Sequence, residues 1–166
     1  LALSAAPSYA QTRDIAAADC SRLASSLTLK NTAVTSAQPI EAGKFTPPAG
    51  GAAAAKAAAS LPAFCRVSLT IKPSSDSDIK SEVWLPMSGW NGKFLQVGNG
   101  AWGGSVQYGP LGDRLKRGYA VASTDTGHTG SDASFAVGHP EKLIDFGYRS
   151  VHETAMHGKA TVAALY

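Results

Sequence analysis

The clearest pattern in the chain is a pair of alternating stretches. Phe64 to Ile71 (FCRVSLTI) and Ile79 to Leu85 (IKSEVWL) alternate between apolar and polar residues over most of their length, the period of a strand that buries one face. Turn-forming residues from Pro73 to Asp78 separate them, so the pair predicts an antiparallel hairpin. Trp90-Asn91-Gly92 signals another turn, Lys93 to Val97 a short strand, and Tyr119 to Ser123 (YAVAS) an apolar strand. The last runs into an irregular junction, Thr124-Asp125-Thr126-Gly127-His128. Between these two strands lie a glycine-rich loop, Gly98 to Gly104 (GNGAWGG), and a short helix predicted over Leu111 to Lys116 and ended by Gly118. Beyond Pro140, Ser150 and Glu153 have the spacing of a capping box. Val151, Ala155, Gly158, Val162 and Leu165 then form one stripe at helical spacing, predicting a helix packed on a sheet.

This order of elements predicts an α/β fold whose sheet opens with an antiparallel hairpin and continues with parallel strands and helices. Ahead of the hairpin the texture is looser. A short helix carrying Cys20 is predicted over Asp14 to Leu27 and a short strand over Leu29 to Thr35. Ser36 to Ser60 holds Pro39, Pro47, Pro48, Gly50 and Gly51, then an alanine tract broken by Lys56 that reads as a helix or a loose connector. The first ten residues, LALSAAPSYA, resemble the tail of a secretory signal peptide, with a mature start near Gln11. The expected division is therefore a signal-peptide remnant over 1–10, an extension with a Pro/Gly/Ala-rich connector over 11–60, and an α/β core over 61–166.

Composition narrows the partners. A net charge of +3 with 16% charged residues, and no basic run interleaved with aromatics, argues against nucleic acid. No apolar run approaches the roughly 20 residues of a membrane-spanning helix, so a soluble, secreted or periplasmic protein is expected. The two cysteines, Cys20 and Cys65, favour a disulfide in an exported chain, with two buried thiols as the alternative. Neither has the neighbours of a metal site.

Three constellations could carry chemistry. Gly98, Gly100 and Gly103 spell G-x-G-x-x-G after a strand, a dinucleotide fingerprint, but Gly104, Gly109 and Pro110 are expected to delay the helix that should meet the pyrophosphate. The same loop could instead offer backbone amides to an oxyanion, as the glycine-rich loop of acyl-transfer enzymes does. Asp125 and His128, at the end of a strand, could orient an acid/base or line a pocket; alternatively Asp125 accepts amides in its own turn while His128 donates to a carbonyl. His139, His152 and His157 read as surface or satisfied core residues, and Trp84 and Trp90 as packing. Trp102, inside the glycine loop, is the tryptophan expected near a pocket. No G-x-S-x-G occurs, so Ser105, Ser123, Ser131 and Ser150 read as turn or cap residues and no triad can be assigned.

Several stretches resemble the tannase/feruloyl esterase family: Phe45-Thr46-Pro47-Pro48, Leu61 to Cys65 (LPAFC), Glu82 to Phe94 (EVWLPMSGWNGKF), Gly98 to Ser105 (GNGAWGGS), Gly118 to His128 (GYAVASTDTGH) and Phe135 to Tyr166. The resemblance implies the N-terminal part of an α/β-hydrolase sheet in a secreted serine carboxylester hydrolase acting on small aromatic-acid esters. It places the catalytic Ser, in a Gly-Cys-Ser-x-Gly-Gly elbow, and the Asp and His beyond Tyr166. It also implies a lid domain with a structural calcium further along. Onto this sequence it maps a disulfide between Cys20 and Cys65 and the loop half of an oxyanion hole at Gly100 or Ala101, where relatives often carry a second glycine. Two other readings stand beside it: a non-catalytic secreted binding module using the Trp102 loop, and a dinucleotide-binding fragment.

Overall fold

The computed structural model describes residues 14–48 and 50–166; the expected signal-peptide remnant lies outside them. Five strands form one sheet in the order β1-β2-β3-β5-β4. They are β1 (Thr32–Ile40), β2 (Phe64–Ile71), β3 (Ile79–Pro86), β4 (Phe94–Gln96) and β5 (Ala120–Thr124). The predicted hairpin is there in register, Phe64 opposite Pro86 and Ile71 opposite Ile79. β1 adds antiparallel to β2, and β5 antiparallel to β3. The chain then crosses through a helix so that β4 and β5 run parallel. β1 is longer than the expected Leu29 to Thr35, carrying Pro39 at the sheet edge, where a missing N–H leaves no central ladder bond unmade.

Alternation sends the two sides of each strand into different layers. Cys65, Val67, Leu69 and Ile71 of β2 join Ile79, Val83 and Leu85 of β3 on one face, which α1 (Ala17–Ser26) and α5 (Ser150–Leu165) cover. Phe64, Trp84 and Val121 point to the other, packed with Leu111 and Leu115 of α3 (Tyr108–Leu115) and with Ala58 of α2 (Gly51–Ala58). α1 is fastened as well as packed, because Cys20 and Cys65 are joined in a disulfide with Cα atoms 5.6 Å apart. The second layer has a polar centre. Glu82, buried on β3, accepts from Arg66 Nε and Nη2, Trp84 Nε1 and the Tyr108 hydroxyl. Four donors on one carboxylate satisfy its lone pairs and make its burial tolerable.

Three expectations need correction. α3 begins at Tyr108 rather than Leu111, so Gly109 and Pro110 sit in its first turn instead of delaying it; proline is tolerated there because first-turn N–H groups have no intrahelical acceptor. Ser150 does not cap a helix. α4 (Pro140–Ile144), a π-helical turn over Asp145–Arg149 and α5 follow one another without a break, and Ser150 has helical φ −59° and ψ −41°. The buried stripe of α5 is Ser150, Thr154, His157, Gly158, Thr161 and Leu165, while Val151 is exposed. Small side chains let this helix approach closely: a Cβ at Gly158 would stand 2.5 Å from the Phe94 ring.

Candidate functional site: the glycine loop and its neighbours

β4 and β5 end side by side, and the loops that follow them meet above the sheet. β5 leads into Asp125, whose Oδ1 accepts from the backbone N–H of Lys80 at 2.9 Å and of Gly127 at 2.8 Å. Burial pushes its carboxyl up to about 6, against the pull of those two amides. Asp125 thus anchors the junction to β3. Thr126 follows with φ +61°, a left-handed conformation that is strained for a β-branched residue.

His128 is buried and engaged at both nitrogens. Nε2 lies 2.9 Å from the Trp102 carbonyl and Nδ1 3.2 Å from the Thr126 hydroxyl. A carbonyl can only accept, so Nε2 carries a proton, while the Thr126 hydroxyl that faces Nδ1 donates to the Asp125 carbonyl at 2.6 Å. The ring stacks on Phe135 with centroids 3.8 Å apart. The side chains of Asp125 and His128 therefore do not pair with each other; one holds a turn and the other holds the glycine loop.

The loop is tied from within and from behind. Gly103 N–H donates to Gly100 C=O at 3.0 Å, closing a tight turn with Ala101 at φ +46°. The Asn99 side-chain amide donates to the carbonyls of Gly103 and Ser105, and Gly104 N–H donates to Gly130 C=O at 2.9 Å. Gly104 has no room for a side chain, since a Cβ would meet the His128 ring at 2.6 Å and the His128 carbonyl at 2.7 Å. The consequence is an asymmetry. The carbonyls of Gly100, Trp102, Gly103 and Ser105 are all bonded into the protein, whereas the amides from Gly98 through Trp102 donate to no group among the described residues. Peptide planarity sharpens it: with Gly100 C=O turned inward, the N–H of Ala101 in the same plane points out of the turn.

Beside these amides stands an aromatic cluster. Trp102, 40% exposed, stacks on Phe146 at 4.8 Å, and Phe135 contacts both. Phe146 is delivered by the π-helical turn, and neither phenylalanine was singled out from the sequence. On the other side of His128, Asp78, Lys80, Asp125, Gly127 and Phe135 help line an open cavity of about 260 Å³. An apolar cavity of about 190 Å³ between α2 and α3 shares no lining residue with the loop. Of the other histidines, His157 is buried with Nε2 2.9 Å from the Thr32 hydroxyl, and burial holds its imidazolium form down. His139 is an exposed partner of Asp76. Among the described residues no group of three or more His, Cys, Asp or Glu could hold a metal ion, and no helix is long and apolar enough to cross a membrane.

The family model for tannase and feruloyl esterase matches residues 65–166. An uncharacterized esterase of Xanthomonas campestris pv. campestris is 48% identical over 151 residues, covering 90% of this chain and 25% of that protein. Feruloyl esterase B of Aspergillus niger is 33% identical over 148 residues, 89% of this chain and 28% of its own. The crystal structure of feruloyl esterase B from Aspergillus oryzae superposes with a TM-score of 0.79 at 30% identity, covering 90% of this chain and 29% of that one. This chain thus spans between a quarter and three-tenths of the length of these relatives. The mixed sheet is the α/β-hydrolase sheet of these neighbours, and the glycine loop and its anchors fall within the matched segment. The chain belongs to the tannase and feruloyl esterase family.

Proposed function

We propose that this chain supplies the oxyanion-binding loop and one aromatic wall of the active site in an exported serine carboxylester hydrolase that cleaves small aromatic-acid esters. The observation that carries the reading is the asymmetry of the turn in the glycine loop: the carbonyls of Gly100, Trp102 and Gly103 are bonded inward, while the amides of Gly100 and Ala101 are left to donate. In the reaction a serine hydroxyl adds to the ester carbonyl carbon and passes its proton to a histidine that an aspartate orients. The former carbonyl oxygen becomes an oxyanion and accepts from the loop amide, Ala101 being the one whose direction the turn fixes. Collapse expels the alcohol, which takes that proton, and water then releases the acid by the same steps. The triad residues belong to the whole protein beyond these 166 residues, as does a lid domain with its structural calcium. The Trp102–Phe146 stack suits a flat aromatic acyl group. The Cys20–Cys65 disulfide supports export into an oxidising compartment.

The test is turnover of methyl ferulate and p-nitrophenyl acetate by the whole protein and by residues 1–166 alone. The whole protein should hydrolyse them and lose activity to a serine-directed phosphonate, and the isolated chain should be inactive. Turnover by the isolated chain, or none by the whole protein, overturns the proposal.

A further inference from the structure

We infer that His128 is a positioning residue for the oxyanion loop, acting on the Ala101 amide through two peptide planes and taking no proton in catalysis. This rests on the proposed role of the loop. The chain of contacts is continuous. His128 Nε2–H donates to Trp102 C=O at 2.9 Å. The same peptide plane carries the N–H of Gly103, which donates to Gly100 C=O at 3.0 Å. That second plane carries the N–H of Ala101. Each plane is rigid, so the orientation of the imidazole sets the orientation of the amide two planes away.

The surroundings hold the imidazole itself. Its face lies on Phe135 at 3.8 Å and its edge meets Phe146 at 5.5 Å. The Thr126 hydroxyl is 3.2 Å from Nδ1, and Gly104 leaves the ring the space a Cβ would fill. A general base needs a free lone pair aimed at substrate. Here Nε2 is occupied by the Trp102 carbonyl and Nδ1 faces Thr126 inside the protein, so neither nitrogen is open to a reacting group. Thr126 is strained at φ +61° in the segment that delivers the ring, and strain of this kind persists only where surrounding structure enforces it.

Two variants separate the roles of the ring. His128→Phe keeps the aromatic stack on Phe135 and removes the N–H, whereas His128→Gln restores an N–H at the position of Nε2. In the whole protein, amide hydrogen exchange at Gly103 and Gly104 should rise by about 10-fold or more in the Phe variant and stay within about 3-fold of wild type in the Gln variant. In the whole protein, the Phe variant should lose about 10- to 100-fold in kcat with little change in KM. The Gln variant should recover most of that loss with an unchanged pH profile of kcat/KM. Loop exchange unaffected by His128→Phe overturns the inference, as does a Gln variant as impaired as Phe or one whose pH profile loses a limb. A whole protein without esterase activity would sink the proposed function while leaving the exchange result to decide the role of His128 in the loop.

Discussion

At the scale of single residues, Asp125 makes the most distinctive pH prediction. Its carboxyl titrates in the folded protein near 6 instead of 3.8 because it is buried, so the folded state binds its proton more tightly than the unfolded state does. Its contribution therefore favours folding at low pH and is lost as pH climbs from about 4 through about 6, a span of about 3 kcal/mol. Asp125→Asn keeps an Oδ1 acceptor for Lys80 and Gly127 and removes the charge. It should raise stability above about pH 7 by roughly 1–3 kcal/mol and flatten that part of the pH profile, as read by urea unfolding. An Asn variant less stable than wild type at pH 8 would show that the two amides need a full charge. Residues of this junction were legible in the sequence because glycine and Asx chemistry betray an irregular turn. Phe135 and Phe146 were not, because they reach Trp102 only through tertiary packing.

At the scale of elements, legibility followed the periodicity. β2 alternates, β3 does so less regularly because Trp84 fills the opposite face, and the two were found in register. α5 was found as a helix with Gly158 and Leu165 of the expected stripe buried, but the rest of its buried face is polar, Ser150, Thr154, His157 and Thr161, and Val151 is exposed. A hydrophobic stripe is the wrong signal for a helix that must come close to a sheet. α2 shows the opposite problem. Its alanines were ambiguous in the sequence, and in the fold they cover α3 too thinly, leaving the 190 Å³ cavity bounded by Phe45, Ala57, Leu61 and Tyr108. Ala57→Leu places a good helix former over that space. It should raise stability by about 1 kcal/mol through added apolar burial, seen as a higher melting temperature. A lower one would mean that the cavity is too shallow to take the side chain.

For the molecule as a whole, the disulfide should be the largest single contribution to stability that one reagent can remove. It closes a loop between residues 45 apart in sequence, which restricts the unfolded chain by about 4 kcal/mol in the entropic account. The double variant Cys20→Ser/Cys65→Ser should unfold at lower denaturant with a loss of about 2–4 kcal/mol. Equal midpoints for the reduced and oxidised chains would show that α1 is held by packing alone. The glycine loop lies at the opposite side of the sheet's connectivity, after β4, so its amide exchange should change little in this variant.

The position of that bridge also has a meaning in time. Both sulfurs, and the whole of β1 and β2 that bring them together, lie before residue 72. A chain emerging N-terminus first into an oxidising compartment can therefore lock its first helix to its first strand pair while the strand that ends at Asp125 is still being delivered. In an exported chain the bond would then act as a vectorial ratchet: the hairpin partner β3 would add to a template already fastened to α1, and the sheet would grow from its antiparallel side towards the glycine loop.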